Sequence, residues 1–364
     1  MAARLPGFPW DQLAPAAAAA ASHPGGIVDL SVGSPVDPVP AAVRSALAAA
    51  ADSPGYPLTK GTQRLRAAAA AWLARQHGVH VSPDCVLPVI GTKELVAWLP
   101  TLLGCGQPDV VTFPELAYPT YDIGARLAGA HPVATDEPER VNSGPVRLAW
   151  LNSPSNPTGR VLPAQRLHEL VDWARQAGAV LASDECYIDL GFEASPVSVL
   201  HPDICGRGHD GLLAVFSLSK RSNLAGYRAG FVAGDPDVVS ALLEVRKHAG
   251  MIVPAPVQAA MTAALDDDAH ARDQYRRYAA RRAALRPALE QAGWTVSHST
   301  AGLYLWADHQ DYDCWESVRV LAATGVLVSP GEFYGPAGAR HIRVAVTATD
   351  ERISAAVERL RALA

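Results

Sequence analysis

Ser217-Leu-Ser-Lys220-Arg-Ser-Asn-Leu-Ala-Gly-Tyr-Arg228 follows directly on the apolar burst Leu212 to Phe216 and gathers an amine, several hydroxyls and an arginine. A strand that runs into a turn here can aim these groups at one spot, which suits an aldehyde cofactor that carries a phosphate. Lys220 is one of only four lysines in the chain, with Lys60, Lys93 and Lys247. Arginine carries nearly all the positive charge, so few amines are available as covalent nucleophiles. Simple alternation would put Ser217 and Ser219 on one side and Lys220 on the other, unless a sharp turn ends the strand. Arg228 follows the turn-prone Ala225 and Gly226, so its planar fork can fold back onto a phosphate. Lys247 lies in the charged string Glu244-Val-Arg-Lys-His248 and reads as part of a solvated helix face, and Lys60 as part of a polar loop.

Outward from this run the chain alternates between β-rich bursts and helical stretches. The expected strands are Val86 to Ile90, Val110 to Phe113, Leu148 to Leu151, Val180 to Ser183, Leu212 to Phe216 and Arg228 to Val232. Between them fall helical stretches at Ala67 to Gln76, Lys93 to Leu103 and Ala164 to Gln176. Such alternation predicts an α/β fold with a mostly parallel sheet covered by helices. In a parallel sheet the carboxyl edge collects functional groups, and three further stretches fall there. Gly91-Thr92-Lys93 ends a strand and opens a helix, where free N–H groups and the helix dipole can receive a phosphate. Asp184 ends the run Ala179 to Ser183 and can hold a heteroaromatic nitrogen protonated, with Tyr187 three residues on. Asn156, in the turn-rich Asn152-Ser-Pro-Ser-Asn-Pro-Thr-Gly159, can present its amide rigidly to a ligand.

At 364 residues the chain exceeds what one core usually supports, so two lobes are expected. Residues 1–40 read as an N-terminal arm that joins the small domain, 41–265 as a large domain, and 266–364 as a small α+β domain. A long arginine-rich helix from Ala269 to Gln291 leads into the last of these. It is followed by a strand (Leu303 to Ala307), a helix (Trp315 to Ala323), strands (Val326 to Ser329 and Ile342 to Val346) and a helix capped by Thr349 or Asp350. The arm holds an extended piece, Ile27 to Val32, and the alanine run Ala16 to Ala21, which reads as a short surface helix because Asp11 and Pro15 do not suit a signal peptide. The formal net charge of −5 argues against a nucleic-acid surface. Five scattered cysteines without a C-x-x-C pair favour reduced thiols in a cytoplasmic protein. No run of about eighteen apolar residues suggests a membrane span.

Taken together, Asn156-Pro-Thr-Gly, Asp184 with Tyr187, Ser217-x-Ser-Lys220, Arg228 and Arg343 in His341-Ile-Arg-Val resemble the aspartate-aminotransferase-like class I/II aminotransferases of fold type I. The resemblance covers nearly the whole chain in family order. Phe8-Pro-Trp, Asp29-Leu-Ser-Val-Gly-Ser-Pro-Val-Asp-Pro, Ser53-Pro-Gly-Tyr-Pro and Pro114-Glu-Leu-Ala-Tyr-Pro-Thr-Tyr121 look like the actinobacterial succinyldiaminopimelate aminotransferases. The resemblance implies pyridoxal 5'-phosphate as cofactor and small amino and 2-oxo acids as substrates. It gives Lys220 the Schiff base, Asp184 the pyridinium nitrogen, and Tyr187 and Asn156 the phenolic oxygen. Tyr118 would stack on the ring. The phosphate would fall to Thr92, Lys93, Ser217, Ser219, Arg228 and Tyr56, the last contributed by the neighbouring subunit of a homodimer. Arg343 would clamp the substrate carboxylate, and Gly33 would line the substrate pocket.

The chain departs from aspartate-specific members, which carry a further arginine for the side-chain carboxylate where this sequence reads Gly250-Met-Ile-Val-Pro-Ala-Pro256. The departure fits a longer, partly apolar substrate with a succinyl group. Lys60, Arg246 and Lys247 are the cationic candidates for its distal carboxylates. A broad aminotransferase, a β-eliminating C–S lyase and a non-catalytic ligand sensor are the alternatives. No helix-turn-helix extension supports the sensor.

Overall fold

Strand-forming runs bounded by glycine and proline build a seven-stranded sheet in this computed structural model, which describes residues 5–206 and 208–363. Residues 1–4 of the expected arm, Arg207 and Ala364 lie outside the described residues. In chain order the strands are β1 (Val28–Asp29), β2 (Val86–Ile90), β3 (Val110–Phe113), β4 (His131–Ala134), β5 (Val146–Asn152), β6 (Val180–Asp184), β7 (Leu212–Ser217), β8 (Ala229–Gly234), β9 (Trp294–Ser297), β10 (Tyr304–His309), β11 (Val326–Leu327), β12 (Ser329–Pro330) and β13 (His341–Ala345). The large sheet runs β2-β8-β7-β6-β5-β3-β4. Its members from β7 to β4 are parallel, and β8 alone runs against its neighbours β2 and β7. The strands between the edges are buried on both faces, which explains their near-continuous Val, Leu and Ala content.

The register aligns the ends of these strands. Asn152 pairs with Asp184, Asp184 with Val215, Ser217 with Gly230, and Ile90 with Ala229. The turns that follow β2, β5, β6 and β7, and the turn that precedes β8, therefore open on one edge. Helices cover both faces of this sheet and bury two apolar clusters, one of which holds Trp72, Phe216 and Phe231 and the other Tyr121 and Trp150.

A third cluster is built from the four-stranded antiparallel sheet β12-β13-β10-β9, helices Ala269–Gln291, Cys314–Ala323 and Asp350–Arg361, and the N-terminal arm. Thr349 caps the last helix through the N–H of Arg352. Two expected strands are shorter than the apolar pattern suggests. Of Ile27 to Val32 only β1 forms a strand, in parallel with β11, while Leu30 N–H donates to Leu327 O and Leu30 O accepts from Ala345 N–H. Val326 to Ser329 divides at Val328, because β11 pairs with the arm while β12 pairs with β13. The alanine run forms helix Ala14–Ala21 but is not wholly a surface element, since Ala20 is fully buried against the third cluster. All five cysteines are free. Among the described residues no helix is long and apolar enough to cross a membrane.

Candidate functional site

At the carboxyl edge of the large sheet, facing the four-stranded sheet and the arm, lies a cavity of about 380 Å³. Strand β7 stops at Ser217, whose hydroxyl accepts from the N–H of Ser219 at 3.1 Å and starts the helical turn Leu218–Arg221. That turn breaks the alternation of the strand, so Ser217, Ser219 and Lys220 all line the same cavity. Thr92 and Lys93 line it as the first two residues of helix Thr92–Leu102, where backbone N–H groups have no partner within the helix. Gly91 before them has φ +74°, and a Cβ there would lie 2.6 Å from the Arg228 guanidinium carbon. Glycine is thus required for both the turn and the space. Arg228 itself adopts the left-handed conformation and folds its side chain back, with Nη1 donating to Ala225 O at 3.0 Å.

Asp184 lies at the end of β6 and is buried. Its Oδ2 accepts from the Tyr121 hydroxyl at 2.8 Å and its Oδ1 from the Cys186 N–H at 3.2 Å. Burial pushes its carboxyl above the usual range, and the hydrogen bonds from Cys186 and Tyr121 offset part of that. Asn152, one strand over, ties the edge together: Nδ2 donates to Asp184 O at 2.9 Å and Oδ1 accepts from the Asn156 N–H at 2.7 Å. Asn156 Oδ1 accepts from Arg343 Nη1 at 2.8 Å, so its NH2 group is turned the other way and is free to donate. Arg343 Nη2 donates to Ser31 O at 2.7 Å. Its guanidinium carbon lies 3.9 Å from the ring centre of Tyr304 and 4.8 Å from that of Tyr334, and its buried Nε has no partner. Lys220 Nζ donates to Gly33 O, and burial, followed by the charges of Arg343 and Arg228, lowers its proton affinity below that of a free lysine. Tyr118, Tyr187 and Gly33 complete the lining.

Of the residues that the family resemblance assigns to the site, all but Tyr56 line this cavity; Tyr56 is fully exposed. The three cations proposed for distal carboxylates are corrected by the structure. Arg246 is fully buried against Glu94 at 2.9 Å, Lys60 is paired with Asp84 at 2.8 Å and Lys247 with Glu244 at 2.6 Å, and none lines the cavity. Several lining residues escaped the sequence reading: Trp10, Tyr121, Asn152, Cys186 and Tyr304. Asn152 could have been found by the rule that picked Asp184, because both end parallel strands. Tyr121 and Tyr304 carry no local signal that separates them from core aromatics.

Glu185, next to Asp184, is also buried, and Val199 N donates to its Oε1 at 2.8 Å. Burial raises its carboxyl to about 7. The folded protein therefore holds a proton that the unfolded chain releases near pH 4.5, so this group removes stability as pH rises from there to about 7. The loss amounts to about 3 kcal/mol above pH 7. Glu185→Gln keeps the acceptor and should unfold in urea with a midpoint higher than wild type at pH 8 but close to it at pH 5.

The donor set suits a phosphorylated aromatic aldehyde: an amine of lowered proton affinity, a buried acid, a free amide donor, and hydroxyls with a helix N-terminus and an arginine for phosphate. A guanidinium whose buried Nε lacks a partner suits a carboxylate beside it. Comparison with known proteins agrees with this chemistry. Residues 26–360 match the aminotransferase class I and II family, and the chain belongs to it. The family depends on pyridoxal phosphate and acts on amino and 2-oxo acids, and its fold is that of the aspartate-aminotransferase-like enzymes.

A probable aminotransferase of Mycobacterium tuberculosis is 62% identical over 99% of this chain and 86% of its own length. The 4-dedimethylamino-4-oxo-anhydrotetracycline transaminase of Streptomyces rimosus is 60% identical over 98% of this chain and 99% of its own. Among solved structures, a probable N-succinyldiaminopimelate aminotransferase of Thermus thermophilus superposes with a TM-score of 0.86 at 29% identity, covering 98% of this chain and 100% of that one. The protein is a pyridoxal-phosphate-dependent aminotransferase.

Proposed function

We propose that this aminotransferase moves the amino group of N-succinyl-L,L-2,6-diaminopimelate to 2-oxoglutarate, and the reverse, in lysine and diaminopimelate synthesis. The observation that carries the reading is the make-up of the cavity mouth. Phe8, Trp10, Val32 and Tyr118 form an apolar wall, and Lys93 is the one lining cation apart from Lys220, Arg228 and Arg343. Its Nζ lies 5.6 Å from the Phe8 ring centre and 5.9 Å from that of Tyr118. A long substrate with methylenes along the wall and a distal carboxylate near Lys93 suits this arrangement better than aspartate does. The Thermus relative's name supports the same substrate class.

When bound, the cofactor supplies an electron sink for the pair left when the α-proton departs. Lys220 would anchor it, and its amine, whose proton affinity burial lowers, would serve to move the proton of the substrate α-carbon. Asp184 would hold the ring nitrogen, and a cation beside it would favour its ionised form despite burial. Tyr187 and the free amide of Asn156 would donate to the phenolic oxygen, and Tyr118 would stack on the ring. The backbone N–H groups of Thr92 and Lys93, with Ser217, Ser219 and Arg228, would hold the phosphate, joined by Tyr56 from the second subunit of a homodimer. Arg343 grips the α-carboxylate with a planar fork that lysine would not reproduce, and Gly33 leaves room for the substrate.

A second reading, a polycyclic ketone as amino acceptor, is favoured by the Streptomyces relative and by the same aromatic wall. The test is an assay of cofactor-saturated protein with succinyl-diaminopimelate and 2-oxoglutarate. Glutamate is expected to form. No glutamate, with turnover of an anhydrotetracycline-type ketone and an amino donor, would establish the second reading instead. Pyruvate released from a cysteine conjugate without any 2-oxo acid would mark a C–S lyase.

A further inference from the structure

Tyr304 is buried in β10, and its hydroxyl lies 3.1 Å from that of Tyr187, the two rings meeting nearly edge to face at 75°. Across the β10/β13 ladder Tyr304 stands opposite Ala345, which makes Arg343 its diagonal neighbour on the same face. The Tyr304 ring covers one face of the Arg343 guanidinium at 3.9 Å, and Tyr334 covers it at 4.8 Å. A Cβ on Gly33 would run into the Tyr304 ring, with Cζ at 2.7 Å, so the backbone closes directly over this side chain. One phenol therefore touches the residue assigned to the phenolic oxygen of the cofactor and the residue assigned to the substrate carboxylate.

We propose that Tyr304 is a positioning residue of the transamination site, its hydroxyl turning the Tyr187 proton toward the cofactor and its ring fixing the plane of Arg343. The inference rests on the roles proposed above for Tyr187 and Arg343 and adds a residue that acts through both. The groups that face Tyr304 are Arg343 from β13, Lys220 from the turn after β7, Tyr187 and Cys186 after β6, Tyr334, and Tyr278 from helix Ala269–Gln291. Burial opposes ionisation of Tyr304, yet the charges of Arg343 and Lys220 bring its phenol below the usual value. Burial and the neighbouring Tyr304 push Tyr187 well above it. Either hydroxyl can donate across the 3.1 Å contact, and in the proposed arrangement Tyr304 donates, which leaves the Tyr187 proton free for the cavity. A phenol that already accepts is also a stronger donor.

The experiment is a spectrophotometric pH titration of the lysine-bound cofactor in the holoenzyme, paired with KM values for the amino and oxo acids. A donor at the phenolic oxygen stabilises the deprotonated form, so Tyr304→Phe should raise the titration midpoint by about half a pH unit to one unit. KM should stay within about twofold, because the ring over Arg343 is kept. In a Tyr187→Phe background the same change should give no further shift. Tyr304→Leu should show the midpoint shift and, in addition, KM raised by about tenfold for both substrates. A Tyr304→Phe enzyme that titrates as wild type, or shifts equally with Tyr187 absent, overturns the hydroxyl role. Equal KM in the Phe and Leu variants overturns the ring role. Should Tyr187→Phe itself titrate as wild type, the assignment of Tyr187 fails first and the proposal with it. Tyr304→Phe preserves shape, so matching thermal melts separate these outcomes from misfolding.

Discussion

Replacing Lys220 by alanine is expected to lower turnover by at least about a thousandfold, because the proposed function gives this one side chain both the covalent anchor and the proton carrier. Nothing nearby can substitute. Among the lining cations Arg228 and Arg343 are guanidines, which do not give up a proton in the working range, and Lys93 sits at the mouth between Phe8 and Tyr118. Two measurements check this independently of rate. Borohydride treatment of the wild-type holoenzyme should add the cofactor's mass to the peptide containing Lys220, and the variant should stay unlabelled. The long-wavelength absorption band should also be missing from the variant. A Lys220→Ala enzyme that retained turnover within tenfold of wild type would remove the assignment.

Asp184→Asn is expected to cost at least about a hundredfold in turnover while leaving the fold intact. Asparagine keeps the shape: its Oδ1 can still accept from the Cys186 N–H, and its NH2 group then faces the Tyr121 hydroxyl oxygen, which can turn to accept. What it loses is the negative charge to which the proposed function assigns the protonated ring nitrogen. Disrupting a buried charge pair typically costs about 3 to 5 kcal/mol, and if even the lower figure is realised in the transition state the rate falls by more than two orders of magnitude. The cofactor should still bind, as equilibrium dialysis would show, because the phosphate cradle is elsewhere. A cofactor analogue methylated at the ring nitrogen carries its charge permanently and should restore part of the lost rate in Asp184→Asn. Unchanged turnover in Asp184→Asn would place the acid away from the ring.

Much of the site was legible because it is built from strand ends. The apolar bursts that end at Ile90, Ser183 and Phe216 locate the sheet edge within a residue or two, and the polar residues after each burst necessarily emerge there. The failures have a common cause. Lys60, Arg246 and Lys247 were candidates by charge alone, and each turned out to be engaged by a carboxylate. Arg246 and Glu94 are far apart in the chain and meet only because helices Thr92–Leu102 and Pro236–Ala249 pack on the same sheet face. Val326 to Ser329 reads as one strand, but its two halves find partners in different sheets.

Strands β4 and β9 and helices Thr120–Ala128, Pro236–Ala249 and Ala255–Asp266 escaped the sequence reading. By itself the sequence determined the alternation of the main parallel strands with helices, the lysine just after β7, the acid that ends β6 and the glycine turn before helix Thr92–Leu102. These are local properties: burial pattern, turn chemistry and the spacing of polar groups from an apolar run. Only the tertiary structure decided that Tyr121 binds Asp184, that Asn152 joins two strand ends, and that Tyr304 lies between Tyr187 and Arg343. Those contacts join segments far apart in the chain. They depend on strand register and on how the four-stranded sheet faces the large one, and no short-range pattern encodes either.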